Sequence, residues 1–211
     1  MKKIITVFGF VVLALNFIAC KSEKRPEYVE EKKVEEVKKK STAPFAFEKA
    51  DNSIKFTAYK TSDKVPVGGQ FKKVDIISGG EGNTIKEAVH NTEFSIPVSS
   101  IFTKEASRDY KIKKFFFGVM EKTKLLSGKL VLENDSTGYA NLKMNNVIQK
   151  VPFLYTIEAK KFSMQATMDV ANWNALEALN SLNTVCKDLH TGADGISKTW
   201  SEVALNITSE F

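Results

Sequence analysis

The feature that most constrains the fold of this 211-residue chain is a hydrophobic alternation with a period of two residues. It is clearest over residues 162–170, where Phe, Met, Ala, Met and Val alternate with Ser, Gln, Thr and Asp. Such alternation is typical of a β-strand with one buried and one solvated face. Similar runs predict strands at 53–59, 65–71, 73–78, 92–98, 123–132, 139–144, 151–158 and 199–209. Alternating strands joined by short turns indicate an antiparallel barrel or sandwich of about eight strands.

Two residue pairs predict local changes of backbone direction, one inside a strand and one between strands. Gly68 and Gly69 lie inside a predicted strand, where paired glycines favour a bulge or a sharp bend, as at a barrel corner. Asn145 and Asn146 follow another predicted strand. Because Asn tolerates a positive φ, this pair predicts a tight hairpin.

The hydrophobic period changes near the C-terminus. Over residues 172–190 the apolar side chains recur every three or four positions, at Trp173, Leu176, Leu179, Leu182, Val185, Cys186 and Leu189. This spacing predicts one amphipathic helix, with Asp169 or Asn172 as its N-cap. The predicted fold class is therefore all-β, an antiparallel β-barrel with one inserted amphipathic α-helix near the C-terminus.

The first twenty residues resemble a bacterial lipoprotein signal. Lys2 and Lys3 precede an apolar run over residues 4–17, and Ala19-Cys20 closes the segment. A transmembrane anchor is the alternative, but the run is shorter than the ~20 residues that a spanning helix needs. We therefore expect residues 1–19 to be removed, Cys20 to be lipidated, and the protein to be anchored outside the cytoplasm, in the periplasm or at the outer membrane.

Residues 21–40 are highly charged: thirteen of the twenty are Lys or Glu, and only four are apolar. Such a segment has too few apolar side chains for a core, which favours a solvated tether, although a recognition helix for a partner is the alternative. The run Ser41-Thr42-Ala43-Pro44 punctuates the boundary. We expect a tether over 20–44, including the lipidated cysteine, and one folded domain over 45–211.

The charge and cysteine content of the chain argue against a nucleic-acid partner and against an internal disulfide. The chain has 31 Lys and Arg against 25 Asp and Glu, and removing Lys2 and Lys3 leaves only a mild excess. No strong basic patch typical of nucleic-acid binding is evident, so no nucleic-acid partner is expected. With Cys20 lipidated, Cys186 has no disulfide partner, and the domain must depend on its hydrophobic core.

No enzyme signature is evident: the chain lacks a Gly-rich phosphate loop, a nucleophile elbow and paired metal-binding cysteines. We therefore predict neither an enzyme nor a cofactor. Cys186 and His190 are four residues apart on the predicted helix and share one face. A metal site is the alternative there, but structural zinc needs four ligands, and a buried core cysteine is the commoner case. No metal site is predicted.

Residues 99–117 combine a polar turn with three consecutive aromatic residues. Burying each Phe ring is worth roughly 1.5–3 kcal/mol, so this run must fill a core or line a cavity. If the segment is extended, Phe115 and Phe117 point one way and Phe116 the other. Arg108 either braces the turn or meets the head group of a ligand, because Arg suits phosphate recognition.

This segment also carries a family resemblance. Ser100-Ile101-Phe102-Thr103, Arg108-Asp109 and the Phe run resemble the central signature of the YceI-like family. Residues 54–59, 67–71 and 142–153 resemble other segments of that family. Two departures are Asn146, where Gly is usual, and the predicted helix, which replaces the family's usual C-terminal Arg-x-Asp-Phe-Gly pattern.

The resemblance implies a secreted, lipocalin-like barrel that binds polyisoprenoid or other long-chain lipids. On this basis we predict a membrane-anchored, extracytoplasmic binding protein for an elongated apolar ligand, such as an isoprenoid or fatty acyl lipid. The candidate ligand-binding residues are Phe56, Phe71, Phe94, Ile96, Ile101, Arg108, Phe115, Phe117, Met164 and Trp173.

A barrel with a filled core is the competing hypothesis. Such a barrel would act as a structural or interaction module of the cell envelope, through its surface or its tether. The volume of the barrel interior discriminates between the two hypotheses, because ligand sites usually exceed ~300 Å³.

Overall fold

One antiparallel ten-stranded sheet dominates the structure, a computed structural model that describes residues 41–211. Its order is β4-β6-β8-β9-β10-β11-β12-β2-β3-β7, and β1 pairs with β5 in a separate two-stranded ladder. The strands are β1 (Phe45–Ala46), β2 (Asp51–Lys60), β3 (Val65–Phe71), β4 (Asp75–Ser78), β5 (Glu81–Gly82), β6 (Glu93–Pro97), β7 (Ile101–Phe102), β8 (Leu125–Leu132), β9 (Thr137–Met144), β10 (Val147–Glu158), β11 (Lys161–Asp169) and β12 (Thr199–Glu210).

The helical elements are short. They are α1 (Ile85–Val89), α2 (Ala106–Lys111), α3 (Leu176–Val185) and α4 (Lys187–His190). Helix α2 continues through a π-helical turn, Ile112–Phe116, into a 3₁₀ turn, Phe117–Val119, and two further 3₁₀ turns span Val98–Ser100 and Val170–Trp173. Within residues 41–211, none of the helices has the length and apolar content to cross a membrane.

Chain connectivity forces the sheet to curl. Strand β6 pairs with β8 near one end of the strand order, and β7 pairs with β3 at the other end. A single 3₁₀ turn, Val98–Ser100, joins β6 to β7. This short connection brings the two ends of the sheet close together without pairing β4 with β7, so the sheet curls, and the predicted antiparallel, lipocalin-like class is confirmed. Eight strands of the ten are long, whereas β4 and β7 have four and two residues.

The predicted signal peptide (1–19), the predicted lipidated Cys20 and the tether segment 21–40 lie outside the described residues. Residues 40–211 cluster as one compact unit, and the two hydrophobic clusters described below lie within its described part. A unit with its own core is expected to fold on its own.

The predicted amphipathic helix near the C-terminus is confirmed as α3, but its predicted bounds of 172–190 are wrong, because the chain breaks the helical run twice. Asn174 has a left-handed backbone (φ 55°) and separates the 3₁₀ turn Val170–Trp173 from α3. A second break at Cys186 separates α3 from α4. Asp169 caps the 3₁₀ turn by accepting a hydrogen bond from the Ala171 amide (2.9 Å), so it does not cap α3.

The two turn predictions have different outcomes. The Asn145-Asn146 hairpin is confirmed: both residues have positive φ (49° and 57°), and Met144 pairs with Val147. Of the bulge or sharp bend predicted at Gly68-Gly69, the bulge is wrong, because β2 and β3 pair without a register shift, and the bend stays a prediction. Gly69 lies opposite Phe56, and a Cβ at Gly69 would lie 2.3 Å from Phe56 Cζ. The glycine therefore leaves room for the phenyl ring.

Two hydrophobic clusters fill opposite ends of the barrel. The first, which we call the capped end, packs the helical segments against the strands, with Phe116, Phe117 and Trp173 among its buried residues. The second, the aromatic end, contains Phe47, Phe153, Tyr155 and Phe162. At this end Phe211 packs on Phe45 and Phe47, with ring centroids 5.9 and 5.2 Å apart.

Candidate functional site

The barrel encloses an apolar cavity of about 220 Å³. Its wall consists mainly of alternate residues of the strands, as the period-two pattern requires. The strand residues include Ile54, Phe56, Ala58, Phe71, Phe94, Ile96, Leu126, Leu130, Ala140, Leu142, Met144, Val151, Met164, Met168, Val203, Leu205 and Ile207. The helical segments add Ile112, Phe116, Phe117, Leu179 and Leu182, which close the capped end.

Few polar groups reach this wall, and each already has a partner. They belong to Asn52, Thr92, Thr199, Trp200 and Ser209. Ser209 Oγ donates to Asn52 Oδ1 (2.7 Å), and Asn52 Nδ2 donates to the Phe47 carbonyl (2.8 Å). Thr92 Oγ1 donates to the Ala88 carbonyl (2.6 Å), Thr199 Oγ1 to Asn183 Oδ1 (2.8 Å) and Trp200 Nε1 to the Thr61 carbonyl (2.8 Å). The wall therefore presents almost pure hydrocarbon to whatever occupies the cavity.

Seven of the ten candidate residues lie in the cavity wall: Phe56, Phe71, Phe94, Ile96, Ile101, Phe117 and Met164. Phe56 packs on Phe71 (centroids 5.7 Å apart), and Phe71 packs on Phe117 (6.4 Å). These three rings form a continuous aromatic strip along the wall. Ligand binding by the seven residues stays a prediction.

Phe115 lies outside the cavity wall, and the alternation expected for the Phe run is wrong. The segment is helical, which brings the neighbours Phe116 and Phe117 together, with ring centroids 4.9 Å apart. Both line the cavity. Phe115 is half-buried against Tyr110 instead, with centroids 6.3 Å apart.

Arg108 also lies outside the wall, because its guanidinium is engaged in bracing the turn before the Phe run. Nε donates to Thr103 Oγ1 (2.9 Å) and Nη2 donates to the Thr103 carbonyl (2.6 Å). The buried Asp109 carboxylate accepts from the Thr103 amide (2.8 Å) and hydroxyl (2.6 Å). Thr103, Arg108 and Asp109 thus hold the segment that carries Phe116 and Phe117 in place.

Trp173 is the third candidate outside the wall. Its side chain is only 1% exposed and belongs to the core of the capped end. The indole Nε1 donates to the Leu142 carbonyl (2.9 Å), which fixes the 3₁₀ turn against β9. Trp173 therefore supports the cavity wall from behind.

Cys186 and His190 lie at the edge of the capped end. Burial raises the pKa of the Cys186 thiol, which keeps it protonated at neutral pH. His190 Nδ1 lies 2.6 Å from Thr199 Oγ1, and burial, followed by the charges of Lys60 and Lys111, lowers the pKa of its ring. Residues 41–211 contain no group of three or more His, Cys, Asp or Glu placed to hold a metal ion.

The sequence reasoning missed the cavity residues of the helical segments. Leu179 and Leu182 are three residues apart on α3 and both face the cavity. Their spacing was visible as helix amphipathicity, but periodicity alone does not say what an apolar face covers. Ile112 and Phe116 were missed for the same reason, since helical spacing places them on one face.

An antiparallel barrel around an apolar cavity places this protein in the lipocalin-like class of β-barrels. The chain belongs to the YceI-like family, because the model of the YceI-like domain matches residues 45–211. No curated protein matches the chain significantly.

Solved structures show the same fold. A polyisoprenoid-binding domain from Saccharophagus degradans, implicated in plant cell wall breakdown, aligns with a TM-score of 0.54 at 11% identity, over 76% of this chain and 96% of that chain. BcnA of Burkholderia cenocepacia aligns with a TM-score of 0.50 at 12% identity, over 78% of this chain and 98% of that chain. At these identities the likeness concerns the fold alone.

Proposed function

We propose that this protein binds one elongated apolar molecule, such as an isoprenoid or fatty acyl chain, inside its barrel. The observation that carries the proposal is the cavity wall, in which all polar groups are hydrogen-bonded to the protein and the remaining surface is hydrocarbon. Only an apolar chain can replace water there without leaving unpaired polar groups. The polyisoprenoid-binding neighbour from Saccharophagus degradans supports the same ligand class.

The wall also limits where a polar head group can sit. Arg108, the residue that we considered for this role, is bonded to Thr103 and lies outside the cavity. Burying a head group without a partner is costly. In our proposal the chain of the ligand occupies the barrel and any head group remains outside it.

One observation favours a second function, the filled barrel that acts as a structural or interaction module. The cavity volume of about 220 Å³ is below the ~300 Å³ at which ligand pockets usually begin. A long chain therefore requires some side chains to move. Met144, Met164 and Met168 lie in the wall, and the flexible Met side chain adapts readily to a changed neighbour.

A matched pair of substitutions tests which function holds. Ala140 is buried in the cavity wall, whereas Ala204 lies on the outer surface of β12. We expect residues 41–211 to take up a radiolabelled C20 isoprenoid alcohol or palmitate at a ratio of one to one. Ala140→Leu fills the cavity and should weaken uptake at least ~10-fold, since binding depends on free volume. Ala204→Leu, the same change outside, should leave it unaltered.

Two results of the uptake experiment would favour the filled barrel. If neither ligand is taken up by the unsubstituted protein, or if both substitutions weaken uptake equally, the cavity is not the ligand site. The protein would then be expected to act through protein partners that bind its outer surface.

Membrane anchoring and an extracytoplasmic location also belong to this proposal. Their support is the sequence of residues 1–20, with its apolar run ending at Cys20. Cys20→Ser should release the full-length protein from the membrane fraction of a bacterial lysate. A variant that still sediments with membranes would contradict lipid anchoring.

A further inference from the structure

Charge is distributed unevenly over the described part of the protein. Residues 104–124 contain seven Lys and Arg against three Asp and Glu. The rest of the described part, 41–103 and 125–211, contains fourteen Lys and Arg against sixteen Asp and Glu. The positive excess of the folded domain therefore lies entirely in the segment that caps the barrel.

Within residues 41–211, the lysines of this segment form no ion pairs with carboxylates. The ion pairs formed among residues 41–211 use Lys64, Lys73, Lys86, Lys129 and Lys150, all of which lie outside the segment. Lys113, Lys114, Lys122 and Lys124 are exposed to solvent. Unpaired surface lysines of this kind are available to an anionic partner.

Large apolar side chains are exposed close to these lysines in the chain or on the adjacent helix α3. Tyr110, Val119 and Leu125 are 53%, 52% and 52% exposed, and Leu176, at the start of the adjacent α3, is also 52% exposed. Lys114 Nζ lies 2.9 Å from the Tyr110 hydroxyl, so basic and aromatic groups are interleaved. Apolar and aromatic residues mixed with lysines are typical of surfaces that lie in the interface of an anionic membrane.

We propose that residues 104–125 form a docking surface for an anionic lipid bilayer. The exposed apolar side chains enter the boundary between head groups and acyl chains, while the lysines contact the phosphates. The opposite face of the same segment carries Ile112, Phe116 and Phe117, which line the cavity. Docking thus brings the capped end of the barrel against the bilayer. It requires neither a ligand in the cavity nor lipidation of Cys20, so it stands or falls separately from the proposed function.

Vesicle co-sedimentation of residues 41–211, which lack the predicted anchor, tests the proposal. Vesicles of phosphatidylcholine alone are compared with vesicles containing one quarter phosphatidylglycerol. We expect binding to the anionic vesicles only, weakened by added salt. Lys113→Gln/Lys114→Gln should weaken this binding roughly 30-fold, from the attraction of each lysine to an anionic surface.

The matched control is Lys160→Gln/Lys161→Gln. These two lysines are also adjacent, exposed and free of ion pairs within the described part, but they lie in the β10–β11 hairpin at the aromatic end, Lys160 in its turn and Lys161 at the start of β11. This control should bind as the unsubstituted protein does. Val119→Ser should weaken binding, whereas Leu154→Ser, which removes a 65% exposed leucine from the outer surface of β10, should not.

Three results would overturn the proposal. The first is equal binding to neutral and anionic vesicles, and the second is an equal loss for the two lysine pairs. The third is failure to bind either vesicle while an acidic polypeptide, poly-glutamate, is retained, which would identify the segment as a protein-binding surface. Circular dichroism of each variant verifies that the fold is kept.

Discussion

The two ends of the barrel differ in what fills them, although both are lined by aromatic residues. At the aromatic end, Phe162 is 1% exposed and packs on Tyr155, and the C-terminal Phe211 covers Phe45 and Phe47. At the capped end, Phe116 and Phe117 lie in the cavity wall, and the cover consists of short helices. The two sets of rings therefore differ in role: those of Tyr155 and Phe162 pack on each other outside the cavity wall, whereas those of Phe116 and Phe117 lie in the wall.

The largest expected effect comes from removing a ring at the aromatic end. Phe162→Ala should lower the free energy of unfolding by about 3–5 kcal/mol, because it leaves a cavity in a closely packed cluster. Phe117→Ala should cost less, since its ring lies in the cavity wall and contacts fewer protein atoms on that side. Urea denaturation of the two variants measures the difference. Equal losses would show that the two ends are packed alike.

The next largest effect is expected at Gly69, which lies opposite the Phe56 ring in the cavity wall. A methyl group at Gly69 would collide with the Phe56 ring, whereas the nearest atom to a methyl group at Gly68 is 3.9 Å away. Gly69→Ala should therefore cost about 1–3 kcal/mol by overpacking and should weaken ligand uptake as the ring moves into the cavity. Gly68→Ala is the control and should leave uptake unchanged. Similar uptake by the two variants would show that the Phe56 ring does not shape the ligand site.

A substitution at Trp173 tests whether a residue that packs behind the cavity wall affects stability without affecting ligand affinity. Trp173→Phe keeps an aromatic ring but leaves the Leu142 carbonyl without the indole donor, which should cost about 1–3 kcal/mol. Because Trp173 does not line the cavity, ligand affinity should change far less than stability. Parallel urea denaturation and ligand titration decide this. A variant of full stability that binds poorly would place Trp173 in the ligand site.

The smallest expected effect is a pH dependence at the capped end. Burial lowers the pKa of His190 from its usual 6.5, so the unfolded chain binds a proton at a higher pH than the folded protein does. Unfolding then takes up a proton, and stability should fall as the pH drops through about 6.5. His190→Gln should remove this part of the slope in urea denaturation series, with His90→Gln as a control for replacing a histidine. An unchanged slope in His190→Gln would contradict the burial of the ring.

The parts of the fold that depend on local periodicity could be predicted from the sequence. Strand β11 and the Asn145-Asn146 hairpin are examples, because alternation and a tolerance for positive φ act within a few residues. The short strands β1, β5 and β7 were missed, since two-residue strands carry no period. The break at Asn174 could not be predicted, because the apolar residues around it keep helical spacing and only the backbone of this one residue is left-handed.

Apart from Phe117, the predicted residues that line the cavity all lie on strands. Phe56, Phe94 and Met164 line the cavity because the faces of a strand follow from its alternation. Phe115, Arg108 and Trp173 lie outside the wall, because their positions depend on other contacts: helical winding for Phe115, the Thr103 turn for Arg108 and the Leu142 carbonyl for Trp173. Such long-range partners leave no local signal in one sequence.

Native mass spectrometry of residues 41–211, purified after periplasmic expression in bacteria, tests the central claim most directly. Organic extraction and lipid analysis of the same sample identify whatever is bound. We predict a one-to-one adduct that extracts as an isoprenoid or acyl chain and is lost in Ala140→Leu but kept in Ala204→Leu. A protein that carries no adduct and takes up no added long-chain lipid would contradict the claim that the barrel is a ligand site.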